Sequence, residues 1–199
     1  MATDGSPVPS NKGRKLPPQL LTADEVRRLI GACSRTAPTG LRNRALVVTL
    51  YRAGLRLDEA LRVTPGGIDP AGGLIHLEGR AAGIDRTGLA IVGDWLRARA
   101  ALGLGDESPL FCTLTGGPLH PAYVRQLLPR LAAKAGIAKR VHAQGLRHTH
   151  AAELAAEGLP VEVIQAQLGH GSLASTDRYL RRIPPRDRLA SLQRREWKV

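Results

Sequence analysis

The sequence predicts an α+β protein that is mostly α, a helical domain carrying a small antiparallel β-sheet. Two observations lead there. Apolar residues recur at helical spacing along most of the chain, and one interval, residues 63–92, breaks that rhythm with clustered Gly and Pro around short apolar runs. Residues 1–19 are rich in Pro, Gly, Ser and Lys and read as a flexible basic arm. Thr22 followed by Glu25 forms a capping box, with Val26, Leu29 and Ile30 at helical spacing behind it, so a first helix starts in LTADEVRRLI. A second helix is expected over 41–53, ended by Gly54, and after the turn GLR a short one in LDEALRV. In the Gly-rich interval, GLIHLEG and TGLAIVG read as two strands separated by RAAGIDR. Helical patterns resume at about 94–102, 121–135, 145–157, 161–168 and 173–180. Pro184 and Pro185 then set off a last amphipathic segment, 184–199.

A chain of 199 residues suits one sizeable domain, and at 43% hydrophobic but only 3% aromatic residues its core must be built from Leu, Ala, Val and Ile. The net charge of +12 calls for a polyanionic partner, nucleic acid ahead of an anionic membrane surface. No apolar run approaches the ~18 residues of a membrane span. The N-terminus lacks the apolar core of a signal peptide, so a cytoplasmic protein is expected. Cys33 and Cys112 form no CxxC pair, which points to neither a zinc site nor a disulfide scaffold.

Two segments share a local design. YRAGLRLDEAL and HAQGLRHTHAAEL each place an arginine directly after Gly-Leu at an expected helix start, Arg56 and Arg147. Free backbone N–H groups and the helix dipole favour an anion there, and a guanidinium presents a fork of donors matching two phosphate oxygens. Taken singly, each arginine is better explained by a cap or an ion pair with a nearby acid such as Asp58 or Glu59. Further on, QLGHGSLASTDRYL holds His170 in a Leu-Gly-His turn and Tyr179 nine residues later, one of three tyrosines in the chain.

The order Arg56, GLRHT, LGH, Tyr179 resembles the catalytic domain of the tyrosine recombinases, the phage integrase family, over roughly residues 20–183. The resemblance implies a DNA-cutting chemistry in which a tyrosine hydroxyl attacks a phosphodiester of double-stranded DNA. A 3′-phosphotyrosine and a free 5′-hydroxyl result, with no metal or other cofactor. By that resemblance Tyr179 is the nucleophile, Arg56 and Arg147 neutralise the phosphate oxygens, His170 bonds a non-bridging oxygen, and Glu59 supports the site from behind. It also implies a tetramer on paired DNA sites, with segment 184–199 docking on a neighbouring subunit.

Two positions depart from the family pattern. Gln144 stands where a His or Lys is usual, three residues before Arg147, and an amide cannot move a proton near pH 7. The hairpin holds none of the chain's lysines, although the family uses one there to protonate the leaving oxygen; Arg80 and Arg86 flank the expected turn instead. Lys139 and Arg140, just before GLRHT, and His148 within it complete the candidate DNA contacts. His142 is expected at the surface, and a metal cluster of His142, His148 and His150 is disfavoured because helix positions two apart diverge. The helical DNA-clamp domain that usually precedes this catalytic domain is not seen in the sequence, which leaves two expectations open: a compact one-domain relative, favoured by Met1 and the arm, or a shortened piece of a longer protein. The competing readings are a DNA-binding relative that has lost its acid–base pair, and a conventional basic transcriptional regulator.

Overall fold

A computed structural model of the chain describes residues 19–169. The centre of the molecule is helix α2 (Pro38–Arg52), whose residues Ala45 to Tyr51 are all buried. Its apolar residues surround the axis rather than striping one side, which suits a helix enclosed by neighbours. It is covered by α1 (Ala23–Gly31), α4 (Arg86–Ala101) and α6 (Ala143–Ala156). The capping box of α1 forms as expected: Thr22 Oγ1 accepts from the Glu25 N–H at 3.1 Å, and Glu25 Oε2 accepts from the Thr22 N–H at 2.7 Å. Val26 and Leu29 face the core.

Between α2 and α4 lie the short helix α3 (Leu57–Arg62), a single 3-10 turn at Pro65–Gly67 and the sheet. Its three strands, β1 (Ile68–Asp69), β2 (Leu74–Leu77) and β3 (Arg80–Gly83), run antiparallel in the order β1-β2-β3. The β2–β3 register pairs Leu77 with Arg80 and Leu74 with Gly83, so the hairpin turn is Glu78-Gly79, with Gly79 at φ 73°. Ile75 and Ala82 sit opposite each other on the buried face.

The expected sheet is corrected in one respect. TGLAIVG is not a strand but part of the first turns of α4, and the second long strand is the RAAG segment that had read as a connection. A four-residue apolar run is ambiguous between strand and helix. What decides is Asp85, whose carboxylate caps α4 by accepting from the Gly88 N–H at 2.8 Å. RAAG has little strand propensity of its own and is held extended by pairing with β2. In consequence Arg80 opens β3 beside the turn, whereas Arg86 is the first residue of α4, away from it.

The remaining helices, α5 (Pro121–Lys134), α6 and α7 (Val161–Leu168), lie where the periodicity places them. Trp95 of α4 is fully buried and its indole N–H donates to the Leu110 carbonyl at 2.7 Å, fastening the 102–120 connection to the core. Ala151, Ala152, Ile164 and Leu168 form a second small cluster joining α6 to α7. All of the expected arm 1–19 except Gln19, the expected helix at 173–180 and segment 184–199 lie outside the described residues.

The Asp85 cap yields a stability test. Partial burial raises its pKa, but the Gly88 N–H and the Arg52 guanidinium outweigh this and hold the carboxyl below its usual 3.8. A depressed carboxyl stabilises the fold above its unfolded pKa and loses that effect as pH falls through the folded value. Asp85→Ala is therefore expected to cost about 1–2 kcal/mol at pH 7. In urea unfolding, the gap to wild type should close below pH 4.

Candidate active site

Glu59, the third residue of α3, is where the separate sequence motifs meet. Its carboxylate receives Arg80 twice, from Nε at 3.2 Å and from Nη2 at 2.9 Å. Arg56 approaches it at 3.4 Å and Arg147 at 3.7 Å. Three cations share one carboxylate, so the cluster keeps a net positive charge suited to an anion.

The same arginines also take the carbonyl end of α7, where the last oxygens of a helix have no partner within it. Arg80 Nη1 donates to the Gln167 carbonyl at 3.0 Å, Arg147 Nη2 to that of Leu168, and Arg56 Nη2 to that of Gly169 at 3.3 Å. Gly169 closes α7 in the left-handed conformation at φ 62° and leads directly to His170. His170 and Tyr179 themselves lie outside the described residues.

The three guanidinium groups differ in access. The Arg56 side chain is 46% exposed, those of Arg80 and Arg147 only 17% and 1%. Arg56 thus offers an open fork, beside a cleft of ≈ 570 Å³ that Glu59, Arg62, Thr64 and His76 also line. Arg147 lies beneath, with Nη1 on the Gly54 carbonyl at 2.6 Å.

The helix-start picture of these arginines needs correction. α6 begins at Ala143, so Arg147 stands in its second turn. Arg56 caps α3, a helix of only six residues, and the Glu59 carboxylate already takes the Arg56 N–H at 2.7 Å. The anion-binding capacity therefore resides in the side chains, not in free backbone N–H groups.

Gln144 is exposed on the first turn of α6. His142 is not a surface histidine as expected: it is half-buried and caps α6, Nδ1 accepting from the Gly145 N–H at 3.0 Å. Burial, and then the charge of Arg140, push its pKa below the usual 6.5. Lys139 is turned to the Leu20 carbonyl and to Glu25 Oε2, at 2.9 and 2.7 Å, while Arg86 and Arg140 are exposed and His148 is half-buried.

Gln167, which the motif reading gave no role, ties elements of the site together, and His150, weighed above only as a metal ligand, is buried beside it. The Gln167 amide pairs with both backbone groups of Gly83, accepting at 2.8 Å and donating at 2.7 Å, and also donates to the Ala53 carbonyl at 3.1 Å. His150 is 4% exposed, with its Nε2 3.5 Å from that amide. A glutamine beside the LGH turn carries no sequence signal, since its partners lie on other elements.

With this geometry in view, comparisons with known proteins are decisive. Residues 19–184 match the family model described as the phage integrase family. The chain belongs to the phage integrase family. The tyrosine recombinase XerC of Xylella fastidiosa strain 9a5c is 34% identical over 171 residues, 83% of this chain and 56% of that relative. XerD of Corynebacterium glutamicum is 33% identical over 180 residues, covering 86% and 59%. The chain thus spans a little over half the length of these curated family members. Among solved structures, the XerA recombinase matches with a TM-score of 0.78 and 25% identity, over 96% of this chain and 68% of that one. The XerH recombinase bound to its palindromic difH substrate, a post-cleavage complex, matches at 0.73 and 25%, over 90% and 54%. Among the described residues no helix is long and apolar enough to cross a membrane.

The glycine of the GLR turn and the histidine behind it generate a pH prediction. Gly54 has φ 62°, and a β-carbon there would meet His150 Cδ2 at 2.6 Å. Burial, followed by the charges of Arg52 and Arg147, pushes His150 down to about 4. A neutral buried histidine lets the unfolded chain take up a proton that the folded chain refuses, so stability falls as pH drops from 6.5 towards 4. His150→Asn should remove that component. Urea midpoints of the two proteins should run parallel above pH 7 and converge at lower pH.

Proposed function

We propose that the chain is the catalytic part of a site-specific DNA recombinase, which cuts and rejoins strands of double-stranded DNA through a 3′-phosphotyrosine. One observation carries the proposal: Arg56 and Arg147, from distant motifs, meet at Glu59 against the turn that leads into His170. Family membership, and the DNA-bound structure of XerH, support it.

In this reading the Tyr179 oxygen attacks the phosphorus, a new O–P bond forms and the P–O5′ bond breaks. The tyrosine proton leaves to a base or water, and the 5′-oxygen takes one up, so the step is balanced without a cofactor. Arg56 meets the non-bridging oxygens with its open fork, and His170 completes the cradle. Arg147 adds positive charge from beneath while holding the Gly54 and Leu168 carbonyls. Glu59 orients the arginines. Positive charge placed before the reaction stabilises the transition state without reorganisation.

Arg86 and Arg140, both exposed, are proposed to meet the DNA backbone, with arm 1–19 adding electrostatic reach beside a catalytic domain spanning 20–183. Lys139, bonded to the Leu20 carbonyl and to Glu25, ties the segment before GLRHT to the start of α1, and His148 within GLRHT is a further candidate DNA contact. Recombination on paired sites would use a tetramer, and the Leu189, Leu192 and Trp197 stripe of segment 184–199 suits a partner-bound helix.

The direct test is a nicked suicide DNA substrate, on which wild type should form a denaturation-resistant adduct. Tyr179→Phe should form none while binding DNA almost as well, because affinity comes from backbone charge. Arg56→Ala should slow adduct formation about 10²–10³-fold, with partial recovery in Arg56→Lys, which keeps charge without the fork. Gln144→His, adding a group that moves protons near pH 7, should speed it roughly tenfold to a hundredfold. An undiminished adduct from Tyr179→Phe would overturn the mechanism.

A further inference from the structure

Arg80 stands in the hairpin, where the sequence invites a role at the phosphate or at the leaving oxygen. The side chain points the other way. All three of its nitrogens are engaged within the protein: Nε and Nη2 on the two oxygens of Glu59, Nη1 on the Gln167 carbonyl. An independent feature shows how closely it is built in. A β-carbon on Gly169 would lie 2.4 Å from Arg80 Nε and 2.6 Å from its Cδ. The glycine of the LGH turn is therefore required twice, for its left-handed backbone at φ 62° and for the guanidinium resting against its Cα.

We propose that Arg80 is a positioning residue, which locks strand β3 and Glu59 to the end of α7 and so sets where the turn entering His170 stands. The inference rests on the recombinase reading only for its catalytic consequence; the lock itself is a property of the fold. Two neighbouring contacts strengthen it. Gln167 ties the same two elements together through Gly83, so β3 and the end of α7 are joined by side chains reaching in both directions. Arg56, the open cation, reaches Glu59, which Arg80 also binds, and the carbonyl of Gly169, the residue against which Arg80 packs. Displacing Arg80 would thus shift the acceptors that orient Arg56. Arginine also scarcely releases its proton, and each nitrogen of this one already donates within the protein. The proton for that oxygen comes from another group.

The experiment compares Arg80→Met, Arg80→Lys and Gly169→Ala with wild type in two readouts on the full chain. In amide hydrogen exchange of the free protein, Arg80→Met should raise the rate at Gly83 and at 167–169 about tenfold or more. Gly169→Ala, which keeps the guanidinium but takes its space, should do the same. In adduct formation on the suicide substrate, both should slow the reaction about tenfold to a hundredfold. That loss should be equal whether the leaving atom is the normal 5′-oxygen or a bridging 5′-sulfur, which departs without a proton. Arg80→Lys, which cannot bridge Glu59 and Gln167 together, should recover only part of the rate on either substrate. Full rescue of Arg80→Met by sulfur would make Arg80 a leaving-group donor and overturn the proposal. So would faster cleavage by Arg80→Lys, or unchanged exchange in the Met and Ala variants. If wild type forms no adduct, the recombinase reading falls, and exchange alone decides whether Arg80 is the lock. If Arg80→Met does not fold, Arg80→Lys and Gly169→Ala carry the same comparison.

Discussion

The carboxylate of Glu59 lets three arginines stand together against the end of α7. Without an intervening anion, the Arg56, Arg80 and Arg147 guanidinium groups would repel one another in a setting where water screens poorly. Glu59 lies at 15% exposure, sheltered enough for its charge to act strongly on Arg147 beneath it. Removing one partner from a buried ion pair typically costs about 3–5 kcal/mol, because the remaining charge stays desolvated. The carbonyl end of α7 adds acceptors that a lone carboxylate cannot provide, so each cation finds both charge and hydrogen-bond geometry.

That arrangement places demands on the scaffold. Arg56 stands four residues past the end of α2, and the intervening Ala53, Gly54 and Leu55 are buried, so its backbone is anchored to the core. Gly54 makes the turn possible and leaves room for His150, while the carbonyls of Ala53 and Gly54 are taken by Gln167 and Arg147. The strand after Arg80 is held by Gln167 and the helix after Gly83 begins at the Asp85 cap, which also receives Arg52. Packing and hydrogen bonding therefore converge on the joint that enters His170.

A cluster with one open and two covered cations divides its work by position. In the proposed reaction the open guanidinium would exchange its weaker contacts, 3.3 and 3.4 Å long, for a phosphate. The covered ones make closer bonds and maintain the field and the geometry. In the proposed reaction such preorganisation would let the protein supply the electrostatic stabilisation itself.

Local chemistry made a large part of this legible from residues alone. The Thr22–Glu25 box, the turns at Gly54 and Gly169, and the periodic helices follow from interactions a few residues apart, which sequence spacing records. The motif order also named Arg56, Arg147 and Glu59, and the structure brings those three together. What folding alone decided is nonlocal. RAAG is held as a strand by pairing with β2, and TGLAIVG is helical behind the Asp85 cap. Whether an arginine faces solvent or interior depends on which backbone carbonyls approach it. Those of Gln167, Leu168 and Gly169 reach Arg80, Arg147 and Arg56 only after α7 has docked against the sheet and α6. The same residue type in three motifs therefore carries three different exposures, a distinction that arises from chain segments far apart in sequence and close in space.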